Sequence, residues 1–558
     1  MSAPVPPVRR RILIALIGVL VALCTLPGAA SAATAPDLQR FTDGFVRSTL
    51  ATVGTDGWIA DPTAHDRADA YGSAGFGYAG LRAADRAHDP QLMEQAIHAV
   101  LYSVRQRHAL PFDQWLVAKS YRWADQHLRD VPAWTVVRGE VAAYLDDPPM
   151  EGASANWRSD FIYNNWKLVE LSATATARAA GRYPLDAPRR ARIATITALA
   201  AKGSGGPATQ TFVRGTARAM SDPSAFPLAY SAFSAAQLIQ TRTVDASMLT
   251  PGLTTQFGDL QRYLLAVAAP DGTVAWSGRS MQMSWTLASA MTVGIRAGGA
   301  DGTGLANAAW TTLRDRYGVR ADGFLAIAPS LREHDTYDGV DEYAGLVVYG
   351  GLTAALLNDA ADALGTRTLR GGPPSAQRNG TVWDPAGAGI AAEHRGKVWW
   401  GATTRASADD VRWVPGLQQV KLLVDGRWTD VLPARPPAGS GTTLWPRPPG
   451  CAWKAEDHDR LRCAGGRTLR ITAVDAGVRI GLRVRPHELV SGRFYLPAAR
   501  AVSPTAVRWD GGSLRASTPM RLTVGRALLA SATDVGLRAT TYTARADARG
   551  DVAFVVGR

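Results

Sequence analysis

The stretch Arg370-Gly371-Gly372-Pro373-Pro374 divides the chain into two parts with different hydrophobic periods. Before it, apolar residues recur at three- and four-residue spacing, which is typical of amphipathic helices. After it, apolar residues alternate with polar ones in short runs, which is typical of half-buried strands. Because the glycines and prolines interrupt both periods, the stretch predicts a linker between two domains.

Residues 36–365 are predicted to be helical. The pair Asp89-Pro90 predicts a helix start, because proline is favoured at the first helical position. The apolar face of that helix follows at helical spacing, at Leu92, Ala96, Ile97, Val100, Leu101 and Val104. Further helices are predicted along this region, separated by loops rich in aromatic and polar residues. Helix pairs without a fixed sequence repeat favour an incomplete α/α toroid over a solenoid.

Residues 389–558 are predicted to form an antiparallel β-sandwich, joined to the toroid by a linker over residues 366–388. One strand shows clear alternation, with apolar side chains at Val478, Ile480, Leu482 and Val484. The segment 547–551, with its Gly550, predicts a turn between the last two strands. The expected fold class is therefore a multidomain α+β chain, with the toroid first and the sandwich second.

Length and composition are those of a folded protein with two or three domains. The chain has 558 residues, of which 46% are hydrophobic and 20% charged. Its net charge of +13 suits an acidic partner such as a polyuronide. The sequence shows no basic recognition helix, zinc-finger spacing or RNA-binding motif, so nucleic acid is not expected as a partner.

The N-terminus predicts export. Arg9 to Arg11 form a charged segment, Ile12 to Leu26 an apolar one, and Ala30-Ser31-Ala32 a cleavage site. A signal peptide over residues 1–32 implies a secreted, extracellular protein with no membrane association after cleavage. A lipid anchor on Cys24 is the less favoured alternative, because the residue before it is not small. Removal of the leader lowers the net charge from +13 to +10.

Two cysteines remain after this cleavage, Cys451 and Cys463. In an exported protein they most simply form one disulfide that closes a short loop. A metal site is the alternative, but His458 is the one nearby ligand. We also find no phosphate-binding glycine loop and no nucleophile elbow, so neither a metal nor a cofactor is expected. The protein is expected to be a monomer.

Three segments of the helical part carry polar groups beside aromatic ones. The first is Asn165-Trp166-Lys167-Leu168-Val169-Glu170. Sixty-five residues after Asn165, the segment Phe226-Pro227-Leu228-Ala229-Tyr230 brings a phenol. Forty-nine residues after Tyr230, the segment 276–284 brings Arg279. An amide, a phenol and a guanidinium can together hold a sugar carboxylate and move the proton at the adjacent carbon.

These segments resemble polysaccharide lyase family 8, the hyaluronate, chondroitin and xanthan lyases. That family has an Asn-Trp-x-x-x-Glu segment, a catalytic Tyr and a Gly-Arg segment in the same order with similar gaps. The resemblance extends loosely over residues 150–455 and includes Glu393-His394-Arg395 and Trp399-Trp400-Gly401 in the β part. It implies a secreted enzyme that cleaves an acidic, uronic-acid-containing polysaccharide by β-elimination.

The resemblance implies a catalytic role for three residues. Asn165 would bind the substrate carboxylate and let it accept enolate-like charge, as an oxyanion hole does. Tyr230 would act as general base and then as general acid, with Arg279 supplying the cation that a phenol of pKa near 10 needs. Each has a structural alternative: a helix N-cap for Asn165, a core position for Tyr230 and a surface ion pair for Arg279.

Seven residues near these segments are candidates for substrate binding: Trp157, Asn164, Trp166, Trp276, Gln282, His334 and Tyr337. The indole rings, with Trp285, could stack on sugar rings, although many tryptophans in any protein belong to the core. We expect the catalytic side chains to line one cleft, because carboxylate binding and proton abstraction occur on adjacent atoms. Trp166 or Trp276 should form a wall, and His394 should approach from the sandwich.

The sequence departs from the family at two places. The family histidine about nine residues before its catalytic Tyr falls near Ser221-Asp222-Pro223, and no histidine occurs between His127 and His334. The family Asn-Glu pair is also missing, at 406–410. Two alternatives therefore stay open. One is a non-catalytic polysaccharide-binding relative. The other is a glycoside hydrolase that uses the carboxylates at 335–342, a segment that otherwise reads as a capping and solvated loop.

Overall fold

A computed structural model shows a helical part followed by antiparallel sheets, which confirms the predicted fold class. It describes residues 32–63, 71–149, 164–203, 210–212, 215–217, 228–278, 280–333, 345–384, 389–403, 416–432, 452–453, 460–462, 466–529, 531–534 and 536–558.

The helical part is built from pairs of helices. They are α1 (Ala35–Leu50), α2 (Tyr71–Ala87), α3 (Pro90–Gln106), α4 (Pro111–His127), α5 (Pro132–Asp146), α6 (Asn164–Ala179), α7 (Ala187–Gly203), α8 (Leu228–Asp245), α9 (Pro251–Val267), α10 (Ser284–Ala297), α11 (Gly299–Thr312) and α12 (Leu346–Leu364). A short α13 (Pro374–Gln377) follows. The predicted helix at Asp89-Pro90 is confirmed as α3, where the Asp89 carboxylate accepts the Leu92 amide at 3.1 Å. No helix in the described ranges is long and apolar enough to cross a membrane.

The even-numbered helices form an inner ring and the odd-numbered ones surround it. Helices α2, α10 and α12 are buried over almost their whole length, whereas α1 and α9 bury one face. A helix that is apolar on all sides belongs inside, and an amphipathic one belongs at the surface of a core. Successive even-numbered helices pack on one another along the chain. The predicted helical toroid is therefore present.

The ring closes where α12 packs against α2, so the toroid is more complete than the sequence led us to expect. Glycines make this contact possible. A Cβ atom on Gly351 would lie 2.1 Å from the Gly72 carbonyl oxygen, and one on Gly75 would lie 2.5 Å from the Gly351 carbonyl carbon. Because real side chains do not approach backbone this closely, the two helices touch backbone to backbone through residues without a Cβ.

The described residues of the β part form three antiparallel sheets. Their strands are β5 (Gly380–Asp384), β6 (Ile390–Arg395), β7 (Val398–Thr403), β8 (Gly416–Val424), β9 (Arg427–Leu432), β10 (Ala452–Trp453), β11 (Arg460–Arg462), β12 (Thr468–Val474), β13 (Gly477–Arg483), β14 (Leu489–Leu496), β15 (Arg500–Ser503), β16 (Ala506–Trp509), β17 (Gly512–Ala516), β18 (Met520–Val524), β19 (Arg538–Arg545) and β20 (Asp551–Gly557). Four short strands, β1 (Ala33–Thr34), β2 (Gln210–Phe212), β3 (Gly215–Ala217) and β4 (Thr368–Leu369), pair as β1 with β4 and β2 with β3.

The sheets are ordered β5-β6-β7-β8-β9, β10-β11-β12-β13-β20-β17-β16-β15 and β14-β19-β18, and they share one apolar core. The predicted alternating strand is confirmed as β13, and the turn at 547–551 does join the last two strands. There the Asp547 carboxylate accepts the amides of Arg549 and Asp551 at 2.8 and 2.9 Å. Strand β5 begins at Gly380, inside the segment assigned to the linker, because it pairs with β6.

Buried charges tie the toroid to the first sheet. Lys421 on β8 is fully buried and donates to Asp271 and Asp430 at 2.7 and 2.6 Å. Arg316 bonds to the same two carboxylates. Burial alone would raise the pKa of Asp430, but the two cations hold that pKa below its ordinary value. The group is therefore a compensated ion network in which each charge depends on the others.

We predict that Gly351→Ala lowers the free energy of unfolding by about 1–3 kcal/mol or more, because the new methyl group forces α12 away from α2. Gly44→Ala in α1 is the matched control. No atom lies within 4 Å of a Cβ placed there, so it should raise stability by about 0.5–1 kcal/mol. Thermal unfolding measures both. Equal melting temperatures for Gly351→Ala and the parent protein would contradict the closed ring.

We also predict that Lys421→Met costs about 3–5 kcal/mol of stability at neutral pH, since it leaves two buried carboxylates short of a cation. Lys397→Met removes the same charge from an exposed position and should leave the melting temperature nearly unchanged. The loss should shrink as pH falls through the depressed pKa of Asp430, where protonation removes the uncompensated charge. A loss independent of pH would argue against the network.

Candidate functional site

The first turns of the inner helices meet at one end of the ring. Between successive inner helices an outer helix returns the chain, so the inner helices run in the same direction. Aromatic contacts show this directly. Tyr71 opens α2 and lies 5.0 Å from Phe112, the second residue of α4, and Phe112 lies 6.3 Å from Trp166 in the first turn of α6. Distances are between ring centroids.

The same pattern continues around the other half of the ring. Tyr230, in the first turn of α8, lies 5.9 Å from Trp285 at the start of α10, and Trp285 lies 6.1 Å from Tyr349 in α12. Phe112 stacks on Phe233 at 5.6 Å and so links the two halves. Among the rings that form these contacts, Trp166 and Tyr230 are half-buried and the others are buried. This end, named the first-turn site, therefore presents two partly exposed aromatic rings on neighbouring helices.

Asn165 is the second residue of α6, directly after Asn164. Its side chain is 2% exposed, and its Oδ1 has no hydrogen-bond partner among the described residues. An N-cap side chain would accept a backbone amide of the first turn, so the capping interpretation does not hold for Asn165. A buried acceptor without a partner costs about 1–3 kcal/mol. The Asn165 side chain is therefore a buried amide whose oxygen no described residue satisfies.

The rest of that motif has a structural role. Glu170 lies one turn further along α6 and accepts a hydrogen bond from Arg192 of α7 at 2.6 Å. This buried ion pair joins the inner helix to its outer partner and fixes the direction in which α6 points its first turn. Trp166 packs against Phe112 of α4, and part of its ring stays exposed.

Tyr230 faces the loop that carries the third motif. Its hydroxyl oxygen lies 3.3 Å from the Ser280 hydroxyl, and Ser280 is the chain neighbour of Arg279. Ser280 and Gln282 both have positive φ, 56° and 58°, and Gly278 has φ of 87°. Non-glycine residues held in this region cost of the order of 1–3 kcal/mol each, and they concentrate at functional sites. The loop is therefore held in a conformation that its own sequence does not favour.

Gln282 lies in the interior and not on a cleft wall. Its side chain is 0% exposed, and both amide atoms lack a partner in the described part of the chain. Its main chain is fixed instead: the Tyr317 hydroxyl donates to its carbonyl at 2.7 Å, and its amide donates to the Ala275 carbonyl at 2.9 Å. Direct contact between this side chain and a substrate would require the loop to open.

Two further expectations need correction. Trp276 is 1% exposed, donates its indole N–H to the Val267 carbonyl at 2.8 Å and packs edge-on against Trp399 of β7. It lies at the contact between toroid and sheet, not on a cleft wall. His394 is also buried, with each ring nitrogen 2.7 Å from a backbone carbonyl, those of Arg378 and Gly396. Neither ring nitrogen of His394 is therefore available to a substrate.

Several predicted residues lie outside the described ranges, and their roles stay predictions. They are Trp157, Arg279, His334, Tyr337, Cys451 and Cys463. The carboxylates at 335–342 lie outside them too. Within the described ranges no group of three His, Cys, Asp or Glu side chains is arranged to hold a metal ion.

Sequence reasoning missed a polar face beneath Tyr230. Ser234 and Gln237 follow Tyr230 at intervals of four and three residues, so the three share one face of α8. Gln237 is fully buried, and neither of its amide atoms has a partner among the described residues; the Ser234 hydroxyl is in the same state. Buried polar groups of this kind normally bind ordered water. The helical spacing of Ser234 and Gln237 is visible in the sequence, but the apolar residues around them conceal the polar face.

Comparison with known proteins gives structural likeness only. No protein family model and no curated protein matches the chain. A cellobiose 2-epimerase from Spirochaeta thermophila DSM 6192 covers 59% of this chain and 97% of its own, at 13% identity and a TM-score of 0.40. The GH76A α-1,6-mannanase from Salegentibacter sp. HEL1_6 covers 59% and 100%, at 9% identity and 0.39. A heparan sulfate lyase HepC mutant from Pedobacter heparinus covers 92% and 83%, at 10% identity and 0.42. At these values the likeness carries no argument about chemistry.

We predict that Asn165→Leu leaves the melting temperature unchanged or raises it, because an apolar side chain of similar size replaces an amide whose oxygen has no partner among the described residues. Gln418→Leu is the matched control, since the Gln418 amide donates to the Thr403 hydroxyl at 2.8 Å and its loss should destabilise the fold. Thermal unfolding distinguishes the two. An equal loss of stability in both variants would show that Asn165 serves the fold.

Proposed function

We propose that this protein is a polysaccharide lyase, a carbohydrate-active enzyme that cleaves a uronic-acid-containing polymer by β-elimination. One placement supports this most directly. Asn165 and Tyr230, which the sequence motifs predict to be catalytic, lie in the first turns of neighbouring inner helices at the same end of the ring. The chain neighbour of Arg279 contacts Tyr230 there. A carboxylate ligand and a proton carrier need this proximity.

Asn165 would act on the substrate carboxylate. Loss of the proton at the adjacent carbon places a second negative charge on a group that is already charged, and a hydrogen-bond donor aimed at the carboxylate offsets it. Such a donor is typically worth about 3–4 kcal/mol of barrier. The Asn165 amide is already removed from bulk water, so its hydrogen bond to a carboxylate would act in a low-dielectric environment, where it is stronger.

Tyr230 would move the proton. Its phenolate takes the proton from the carbon that bears the carboxylate, and the electron pair moves into the carboxylate. The pair then forms the carbon–carbon double bond as the bond from the next carbon to the glycosidic oxygen breaks. That oxygen leaves with the proton that Tyr230 carried. Arg279 would lower the pKa of the phenol toward neutrality, since a phenol ordinarily titrates near 10.

The setting of the reaction is also part of the proposal. The predicted signal peptide at residues 1–32 places the enzyme outside the cell, where acidic polysaccharides occur. The net charge of +10 after cleavage attracts a polyanion and speeds its encounter with the protein. Trp166 is half-buried beside Asn165 and offers part of its ring to a sugar.

The proposal is tested by incubating the secreted protein with a panel of uronic-acid polymers and one neutral polysaccharide. Ultraviolet absorbance reports the unsaturated sugar that only elimination produces, and reducing ends report every cleavage. We expect both signals to rise together on at least one acidic polymer and neither on the neutral one. Reducing ends without absorbance would make the protein a hydrolase, and binding without either signal would make it a non-catalytic relative.

We predict that Tyr230→Phe lowers turnover about 10²–10⁴-fold or more and leaves polymer binding nearly unchanged, because it removes a proton carrier and keeps the ring. Tyr144→Phe is the matched control. Its buried hydroxyl on α5 has no partner among the described residues, so removing it should affect neither activity nor stability. Turnover by absorbance and binding by titration separate the two effects. Full activity of Tyr230→Phe would assign the proton transfer to another residue.

A further inference from the structure

A cavity of about 480 Å³ lies at the end of the ring opposite the first-turn site. All six inner helices line it, and most of the lining side chains come from their last turns. On α8, Tyr230 and Thr243 mark the two ends, and the thirteen residue steps from one to the other span roughly 20 Å. The cavity, named the last-turn cavity, is large enough for a small organic ligand and is separate from the first-turn site.

Two cations in its wall are neutralised by the protein. Arg82 forms a two-pronged pair with Asp362 at 2.7 and 2.6 Å and also donates to the Tyr78 hydroxyl at 2.8 Å. Lys119 is buried and paired with Asp359. These ion pairs join α2 and α4 to α12. The charges of Asp359 and Asp362 are neutralised in the pairs, so these carboxylates do not attract a cationic ligand.

Two other cations in the wall pair with no carboxylate among the described residues. Arg122 is half-buried, its Nε is shielded from solvent, and this nitrogen has no hydrogen-bond partner in the described part of the chain. Arg296 reaches across from α10 and donates to the Thr243 hydroxyl at 3.1 Å, and no carboxylate among the described residues pairs with it. The wall therefore carries two positive charges in excess of its acids.

A structural role alone does not account for these arginines. Cations near helix C-termini are stabilising by about 0.3–1 kcal/mol, but that effect needs no cavity and leaves no buried donor unsatisfied. A guanidinium donor without a partner is costly, whereas an anion in the cavity would satisfy it and screen the excess charge. Trp123, half-buried and stacked on His127 at 4.8 Å, adds an aromatic surface beside Arg122.

We infer that the last-turn cavity binds a small organic anion, with Arg122 and Arg296 as the partners of its carboxylate, sulfate or phosphate group. The aromatic surface of Trp123 favours a ligand with a ring or chain attached to that group. The guanidinium fork suits a planar or tetrahedral oxyanion better than a point charge would. Binding at this site requires neither Tyr230 nor a polymer substrate, so it stands apart from the proposed lyase activity.

The test is calorimetric titration of the full secreted protein with glucuronate, inorganic sulfate, inorganic phosphate and neutral glucose. We expect at least one anion to bind and glucose to bind at least tenfold more weakly. Arg122→Gln and Arg296→Gln should each weaken the anion about tenfold or more, the loss expected for one charge-assisted hydrogen bond. Arg242→Gln is the matched control, since it removes the same charge from α8 at an exposed position outside the cavity wall.

Each ligand and each variant gives a result that supports or overturns the inference. Asn165→Leu removes the carboxylate ligand proposed for the first-turn site and should retain the anion, whereas loss of binding in this variant would place the anion at the first-turn site. Because Arg296 is exposed, its variant should fold and keep the test valid even if Arg122→Gln is destabilised. Absence of binding by every anion, unchanged affinity in both arginine variants, or an equal loss in Arg242→Gln would each overturn the inference. The anion that binds best identifies the oxyanion class.

Discussion

Backbone-to-backbone contact between α2 and α12 is the constraint on which the rest of the toroid depends. Gly72, Gly75 and Gly351 remove the side chains that would otherwise separate these helices, and the ring closes as a result. The alternation of inner and outer helices puts the first turns of the inner helices at one end and their last turns at the other, and closure joins them into one ring. The first-turn site and the last-turn cavity therefore both depend on this packing contact.

Both ends contain buried polar groups that no described residue satisfies. At the first turns these are the amide oxygen of Asn165 and the side chain of Gln237, and at the last turns the Nε of Arg122. The positive φ values at Ser280 and Gln282 add backbone strain beside Tyr230. Such costs reduce a marginal stability, and the buried ion network around Lys421 and the large apolar core stabilise the chain against them.

The sequence predicted much of the fold, because hydrophobic period is a local property. It predicted the helical part, the strand at β13 and the start of α3. The spacing between the motifs also led us to expect Asn165 and Tyr230 in one cleft, and both lie at the same end of the ring. That spacing reflects one helix pair, since the chain leaves α6, turns back through α7 and returns in α8. The sequence could not place Trp276, Gln282 or His394, because the same residue serves either a site or a core, and only long-range packing decides. Arg122 and Arg296 likewise meet only in the folded ring.

The most direct measurement is a crystal structure of the Tyr230→Phe variant with a bound uronic-acid oligosaccharide. The account predicts that the sugar carboxylate lies within hydrogen-bond distance of the Asn165 amide, with the carbon that loses its proton facing the ring at position 230. Arg279 should then lie on the same sugar. An oligosaccharide bound elsewhere, with its carboxylate away from Asn165 and position 230, would contradict the assignment of the first-turn site as the place where the polymer is cleaved.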